Sequence, residues 1–284
     1  MHQQVTSSAK ANLEYRRYHA ELNNWQWVMN PKPEDSIVRD VYTPDGRHHV
    51  IKQEMAISIF EIGKTWMAIA CTDAGGDLTK GTMLPWLEEV GPVAPTIVPI
   101  IQYRPKCALN SRVIPKTKGN AQSLAVFPER DGHRLDWASA KSDRFPILSE
   151  VFRLSAFSRK QLLNLLQTKI IAETNRLQQT YGLPELLSVL GKPTFANLLY
   201  YRNILQDQVT DLSQMLLLTN GESRIFHNSA SRPVTAHNAM DMYEVHSLLQ
   251  DLHLQAQSLV EKCSQGMTVI SNNSMLEESQ RAIQ

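Results

Sequence analysis

The chain has 284 residues with Lys+Arg 29 against Asp+Glu 28, a formal charge of +1, and 42% hydrophobic content. That length supports a sizeable core and a soft prior of about two domains, and the charge balance excludes a strong electrostatic pull toward nucleic acid or anionic lipid. No run approaches the ~18 apolar residues that cross a bilayer, and Cys71, Cys107 and Cys263 form no Cys-x-x-Cys pair, which excludes a disulfide scaffold and fits a reducing compartment.

The amino terminus, Met1 to Ser8, lacks a basic stretch followed by an apolar one, so a secretory leader is not expected. Residues 9–30 read as a short amphipathic helix that ends at Asn30-Pro31-Lys32-Pro33, because proline cannot continue a helix. A β-type region follows over residues 37–127. Met55, Ile57 and Ile59 alternate with Ala56, Ser58 and Phe60, the period of a strand. Gly63-Lys64 then separates that run from Thr65–Cys71, and glycine at the first central position suits a type II′ hairpin turn. Thr96–Ile101 and Leu124–Phe127 are further strand candidates. Gly75-Gly76, Gly81 and Gly91-Pro92 mark loops around a short helix near residues 84–89.

From about Ser158 the pattern turns helical. Leu162, Leu163, Leu166, Ile170, Leu177 and Tyr181 recur at three- and four-residue spacing. Gly182 is expected to close this helix and a short one to cover residues 183–190. Gly191-Lys192-Pro193 should then break the chain, with Thr194 capping a helix that carries Leu198, Leu205, Val209, Leu212 and Leu216 and ends at Asn220-Gly221. Residues 221–237 lack periodicity and read as a linker.

The last segment is the most regular. Asn238, with Asp241 three residues on, suits a helix start, and no proline follows. Met242, Leu249, Ala256, Cys263 and Ile270 are seven apart, and so are Val245, Leu252, Leu259 and Gly266, offset by three. These are the a and d positions of a heptad, a seam able to pair with a partner helix or with a second copy. At 1.5 Å per residue the segment makes a rod of roughly 70 Å. Beyond Ile270 the seam turns polar, at Asn273, Glu277 and Gln280.

No enzymatic constellation stands out. Gly76–Thr82 has glycines and a lysine in the wrong order for a phosphate loop, and no His-Glu-x-x-His, Gly-x-Ser-x-Gly or dinucleotide fingerprint occurs. His48-His49 has no ligand-spaced partner. His246 and His253, seven apart, fit a solvated helix face better than a metal pair. Asp207 and Asp211, one helical turn apart, can share a cation, although two exposed acids are the commoner situation. Arg16-Arg17 between Tyr15 and Tyr18 is a weak base-stacking cluster. Asn272-Asn273-Ser274 matches a glycosylation pattern but sits in a predicted helix. The chain therefore reads as a non-enzyme with no cofactor and no nucleic-acid partner.

The terminal rod also carries motifs. Cys263-Ser264-Gln265-Gly266-Met267, then Asn272-Asn273, then Glu278-Ser279-Gln280-Arg281-Ala282-Ile283 resembles the stalk helix of fungal CorA-like magnesium transporters. There a Cys-x-x-Gly-Met stretch, an Asn pair and a Glu-Ser-x-x-Ala-Ile stretch precede the first membrane span. The resemblance covers residues 248–283, and the first 150 residues carry none of it. It implies an α+β fold divided into an α/β domain with a small sheet (1–157), a helical subdomain (158–220), the linker (221–237) and a long stalk helix (238–284). It implies self-association as a pentamer at the cytoplasmic face of a membrane, with Mg²⁺ between cytosolic domains as regulatory ligand. Asp207, Asp211, Asp241 and Asp251 are then the candidate acidic contacts, and the heptad from Met242 to Ile270 the oligomerisation seam. The family's Gly-Met-Asn pore motif is absent, since Gly266-Met267 is followed by Thr268, so these residues are not expected to conduct ions. A soluble coiled-coil interaction protein is the alternative reading.

Overall fold

The computed structural model describes residues 40–45, 48–52, 54–63, 65–73, 145–179, 184–220 and 236–283. The element order over these is four strands followed by three long helices. The described residues fall into two compact units that divide between Glu150 and Val151, the strands and residues 145–150 of the first helix in one and the rest of the helices in the other. The expected helices at 9–30 and 84–89, the strands at 96–101 and 124–127, Arg16-Arg17, Cys107, Tyr181 and most of the 221–237 linker lie outside the described residues.

The strands form two antiparallel hairpins. β1 (Asp40–Asp45) pairs with β2 (His48–Lys52), and its register shifts between Tyr42 and Asp45. Pro44 lies within that shift; proline has no N–H for a ladder and belongs at such irregularities. β3 (Met55–Ile62) pairs with β4 (Thr65–Thr72) without a shift, Ile62 opposite Thr65. Gly63 between them has φ +64, the left-handed geometry that a two-residue hairpin turn demands of its first central residue. Met55, Ile57 and Ile59 share one half-buried face, while Ala56, Ser58 and Phe60 occupy the exposed one. Asp73 closes the open end: its N–H donates to Glu54 O (3.0 Å) and its carboxylate accepts the Glu54 N–H (2.8 Å).

The helices are α1 (Phe145–Gln179), α2 (Pro184–Thr219) and α3 (Ala236–Ile283). Their side-chain contacts define an up-down-up bundle. Residues 159 and 173 of α1 meet 208 and 194 of α2, so α1 and α2 are antiparallel. Residues 213 and 219 of α2 meet 253 and 246 of α3, again antiparallel. Residues 153 and 167 of α1 meet 244 and 255 of α3, so these two run parallel. All three helices present heptads to the centre. Ser149, Ala156, Leu163, Ile170 and Leu177 of α1 are buried, as are Gly191, Leu198, Leu205, Leu212 and Thr219 of α2. In α3 Val245, Leu249, Leu252, Ala256, Leu259, Cys263, Gly266 and Ile270 are buried. Each fully buried leucine contributes roughly 1.5–3 kcal/mol.

Three expected helix boundaries move. α1 begins at Phe145 rather than near Ser158, because its heptad steps back through Ala156 and Ser149, small buried residues that carry little apolar signal. α2 does not break at Gly191-Lys192-Pro193: one helix runs through Pro193. An interior proline forfeits a hydrogen bond and costs about 3 kcal/mol, but this stretch is held from both sides. Gly191 faces Ile270 of α3, and Thr194 bonds to Glu173 of α1. α3 starts at Ala236, two residues ahead of the expected cap at Asn238.

Backbone approach is tightest between α2 and α3, and glycines make it possible. A Cβ on Gly266 would lie 2.8 Å from Leu198 Cδ1, whereas one on Gly191 would lie 3.4 Å from Ile270 Cγ2, an ordinary contact. Leu198 is fully buried, so its Cδ1 would have to shift within packed surroundings. Gly266→Ala should therefore lower stability by about 1–2 kcal/mol despite the better helix propensity of alanine. Gly191→Ala should raise it by up to about 1 kcal/mol. Urea titration of both variants by circular dichroism checks the pair, and equal effects would contradict the packing described.

Candidate functional site

Among the described residues no group of three or more His, Cys, Asp or Glu side chains is placed to hold a metal ion. Three of the four candidate acids lie among the described side chains. Asp207 and Asp251 are exposed on α2 and α3, and the Asp241 side chain lies outside the described residues. Asp211 is paired within the chain. Its Oδ2 accepts Arg159 Nη2 at 3.1 Å. The Met242 side chain also lies outside the described residues. The rest of the seam, Val245, Leu249, Leu252, Ala256, Leu259, Cys263 and Ile270, is buried in packing within the chain.

The structure instead assembles two polar layers between α1 and α2. In the first, Arg159 donates through Nη1 to Gln208 Oε1 (2.6 Å), through Nη2 to Asp211, and through Nε to Ser155 Oγ (3.4 Å). Gln208 is 4% exposed. In the second, the Glu173 carboxylate is 5% exposed and accepts three bonds. Thr194 Oγ1 donates to Oε2 at 3.0 Å, and Asn197 Nδ2 and Arg176 Nη1 donate to Oε1 at 3.0 and 3.3 Å. A buried carboxylate without such donors would cost several kcal/mol. Neither layer was singled out from sequence, but a signal exists. Arg159 and Glu173 fall in step with Leu166 at seven-residue spacing, as charges inside the apolar register of α1.

α3 joins the others through neutral groups. Gln255 Nε2 donates to Asn164 Oδ1 and Gln167 Oε1 of α1 at 3.3 and 3.1 Å, and the Arg153–Glu244 pair (3.2 Å) sits at the surface. His253 Nε2 lies 2.9 Å from Ser213 Oγ and His246 Nδ1 lies 3.1 Å from Thr219 Oγ1. These histidines are half-buried at the α2–α3 interface and do not form the solvated face expected of them. Each follows a d position by one residue, which turns it toward the neighbouring helix. The Ser213 and Thr219 hydroxyls donate to the carbonyls of Val209 and Met215, four residues back on α2. With each hydroxyl proton so used, the ring nitrogen is the donor across the interface.

Cys263 is fully buried in the seam, and burial pushes its thiol up to about 12, against the opposing pull of the Arg202 charge. Arg202 Nε is itself buried without a hydrogen-bond partner among the described residues. Cys71, by contrast, is exposed on β4.

Two measurements follow. Glu173→Ala leaves the Thr194 and Asn197 donors unpaired and should cost about 3 kcal/mol, most of it recovered in Glu173→Gln, as read by urea denaturation. For Cys263 the folded value lies above the ordinary 9.0, so its contribution is fully present below about pH 9 and is lost as pH rises toward 12. The unfolding midpoint should fall over that range more steeply in wild type than in Cys263→Ala, and parallel curves would contradict this. No family model matches this chain, and no curated protein and no solved structure matches it significantly.

Proposed function

We propose that the chain is a cytosolic regulatory and oligomerisation domain of a CorA-like divalent metal (magnesium) transporter. It would comprise an α/β amino-terminal part with a small sheet, a helical subdomain and a stalk helix, without pore segments. The observation that supports this best is the two-faced character of α3. One heptad is spent within the chain. A second, Ser247, Asp251, Leu254, Ser258, Glu261, Gln265, Thr268, Asn272, Met275, Ser279 and Ala282, is exposed throughout. It carries two acids and no base, and its apolar members Leu254 and Met275 are 56% and 65% exposed.

A helix with a regular exposed stripe of low charge suits parallel association of identical copies about an axis. Self-association therefore belongs to this outward stripe, since the Met242–Ile270 seam lies on the face turned into the bundle. The stripe's acids, Asp251 and Glu261, would face their own copies across such an axis. Like charges there repel until a divalent cation bridges them, so Mg²⁺ biases the assembly. No helix among the described residues is long and apolar enough to cross a membrane, and residues 1–284 supply regulation in this reading rather than conduction. The chain carries out no covalent chemistry.

The same stripe also serves the alternative, a coiled-coil interaction protein without transport activity, and the ion separates the two. Sedimentation velocity at rising concentration should give oligomers in millimolar Mg²⁺ that dissociate in EDTA. Leu254→Lys with Met275→Lys should abolish them and leave helicity intact. Leu252→Lys, at a position only 2% exposed, should unfold the bundle instead. Mg²⁺-independent assembly would favour the alternative, and a monomer under every condition would overturn self-association in both.

A further inference from the structure

The two polar layers are spaced in a way that stability alone does not require. On α1 the inward positions Phe152, Arg159, Leu166 and Glu173 follow one another at seven residues, and on α2 so do Thr194, Tyr201, Gln208 and Met215. Arg159 meets Gln208 and Glu173 meets Thr194. By the same antiparallel spacing, Leu166 and Tyr201, both buried, fall at the level between them, and Phe152 and Met215, both half-buried, at the level beyond, where Ser155 meets Met215. Charged layers therefore alternate with uncharged ones along the α1–α2 interface, and the two charges have opposite sign.

This alternation penalises every regular slip. Heptads tolerate sliding by seven residues, since apolar positions then meet apolar positions again. Here a slip of one heptad sets Arg159 against Tyr201 and Thr194 against Leu166 in one direction, and Glu173 against Tyr201 and Gln208 against Leu166 in the other, so each direction parts a charge from its native partners. A slip of two heptads restores polar against polar but reverses the charges. In one direction Arg159 reaches Thr194 and Asn197, which donate to Glu173 in the native layer. In the other Glu173 reaches Gln208 and Asp211, carboxylate beside carboxylate. For Glu173, which is buried, a charge without its partners costs several kcal/mol, far more than an apolar mismatch, while the penalty at the part-exposed Arg159 is smaller.

We infer that Arg159 and Glu173 act as a register lock, holding α1 in a single longitudinal position against α2 so that the two helices move as one body. The lock differs from a stabilising pair in what happens when it is removed. Replacing a buried polar network by apolar side chains on both partners leaves stability unchanged or raised, while the information that specifies one register is lost. α2 and α3 are registered in another way, by Leu198 seated over Gly266, so removal of the charges should free α1 alone.

The test measures position directly. Lys160 and Lys192 are exposed on α1 and α2, and spin labels on Lys160→Cys and Lys192→Cys report the longitudinal offset. Cys71→Ser and Cys107→Ser remove competing thiols, while Cys263 stays buried and protonated. With both layers intact a single narrow distance is expected. With both made apolar (Arg159→Met, Gln208→Leu, Asp211→Leu, Glu173→Leu, Thr194→Val, Asn197→Leu), helicity should persist. The distribution should then gain a second population displaced by about 10 Å, one heptad of helix rise. A single unchanged distance in the apolar variant overturns the inference. Loss of helicity in that variant overturns it as well, because the layers would then supply stability rather than register.

Discussion

The packing of α3 against α2 is the constraint on which the helical unit depends. Val245, Leu249, Leu252, Ala256 and Leu259 fill the centre, and beyond them Cys263 and Gly266 let the two backbones close. Small residues at these points bring more apolar surface into van der Waals contact per turn. The seam also imposes conditions on its neighbours. It packs against α2 where the helix continues through Gly191 and Pro193, although local propensity asks for a break, and it encloses the Cys263 thiol so fully that the neutral form is favoured far into the alkaline range.

α1 is attached by different physics. Its apolar heptad completes the core, yet its distinctive links to α2 are charge-assisted hydrogen bonds from Arg159 and to Glu173. Such bonds add little net stability when desolvation is counted, but they are directional and tolerate few alternative partners. Apolar burial thus provides most of the driving force of the bundle, and the polar layers choose among arrangements that burial alone would leave nearly equal in energy.

The functional reading rests on the division of α3 into two faces. The inward heptad is the one that periodicity shows, because leucine and valine at seven-residue spacing mark a helix seam. Whether that seam meets a second chain or the same chain is not written in the spacing. Within this chain α1 and α2 supply two complementary heptads of the right length. The outward stripe, made of serine, glutamine, threonine and asparagine with Leu254 and Met275, has almost no apolar signature, and its continuity emerges only from exposure.

The sequence by itself determined that the chain beyond residue 158 is mainly helical, the heptad of α3 and the turn at Gly63, since each depends on local periodicity or on a backbone angle that glycine supplies best. It did not reveal the heptads of α1 and α2 in full, because Ser149, Arg159, Glu173, Gly191, Thr194 and Gln208 stand at inward positions without being apolar. The tertiary structure decided that these positions are inward, that Asp211 pairs with Arg159 and that His246 and His253 face α2. The reason is physical. A polar side chain announces no burial until a partner on another helix satisfies it, and that partner lies 21 to 52 residues away along the chain.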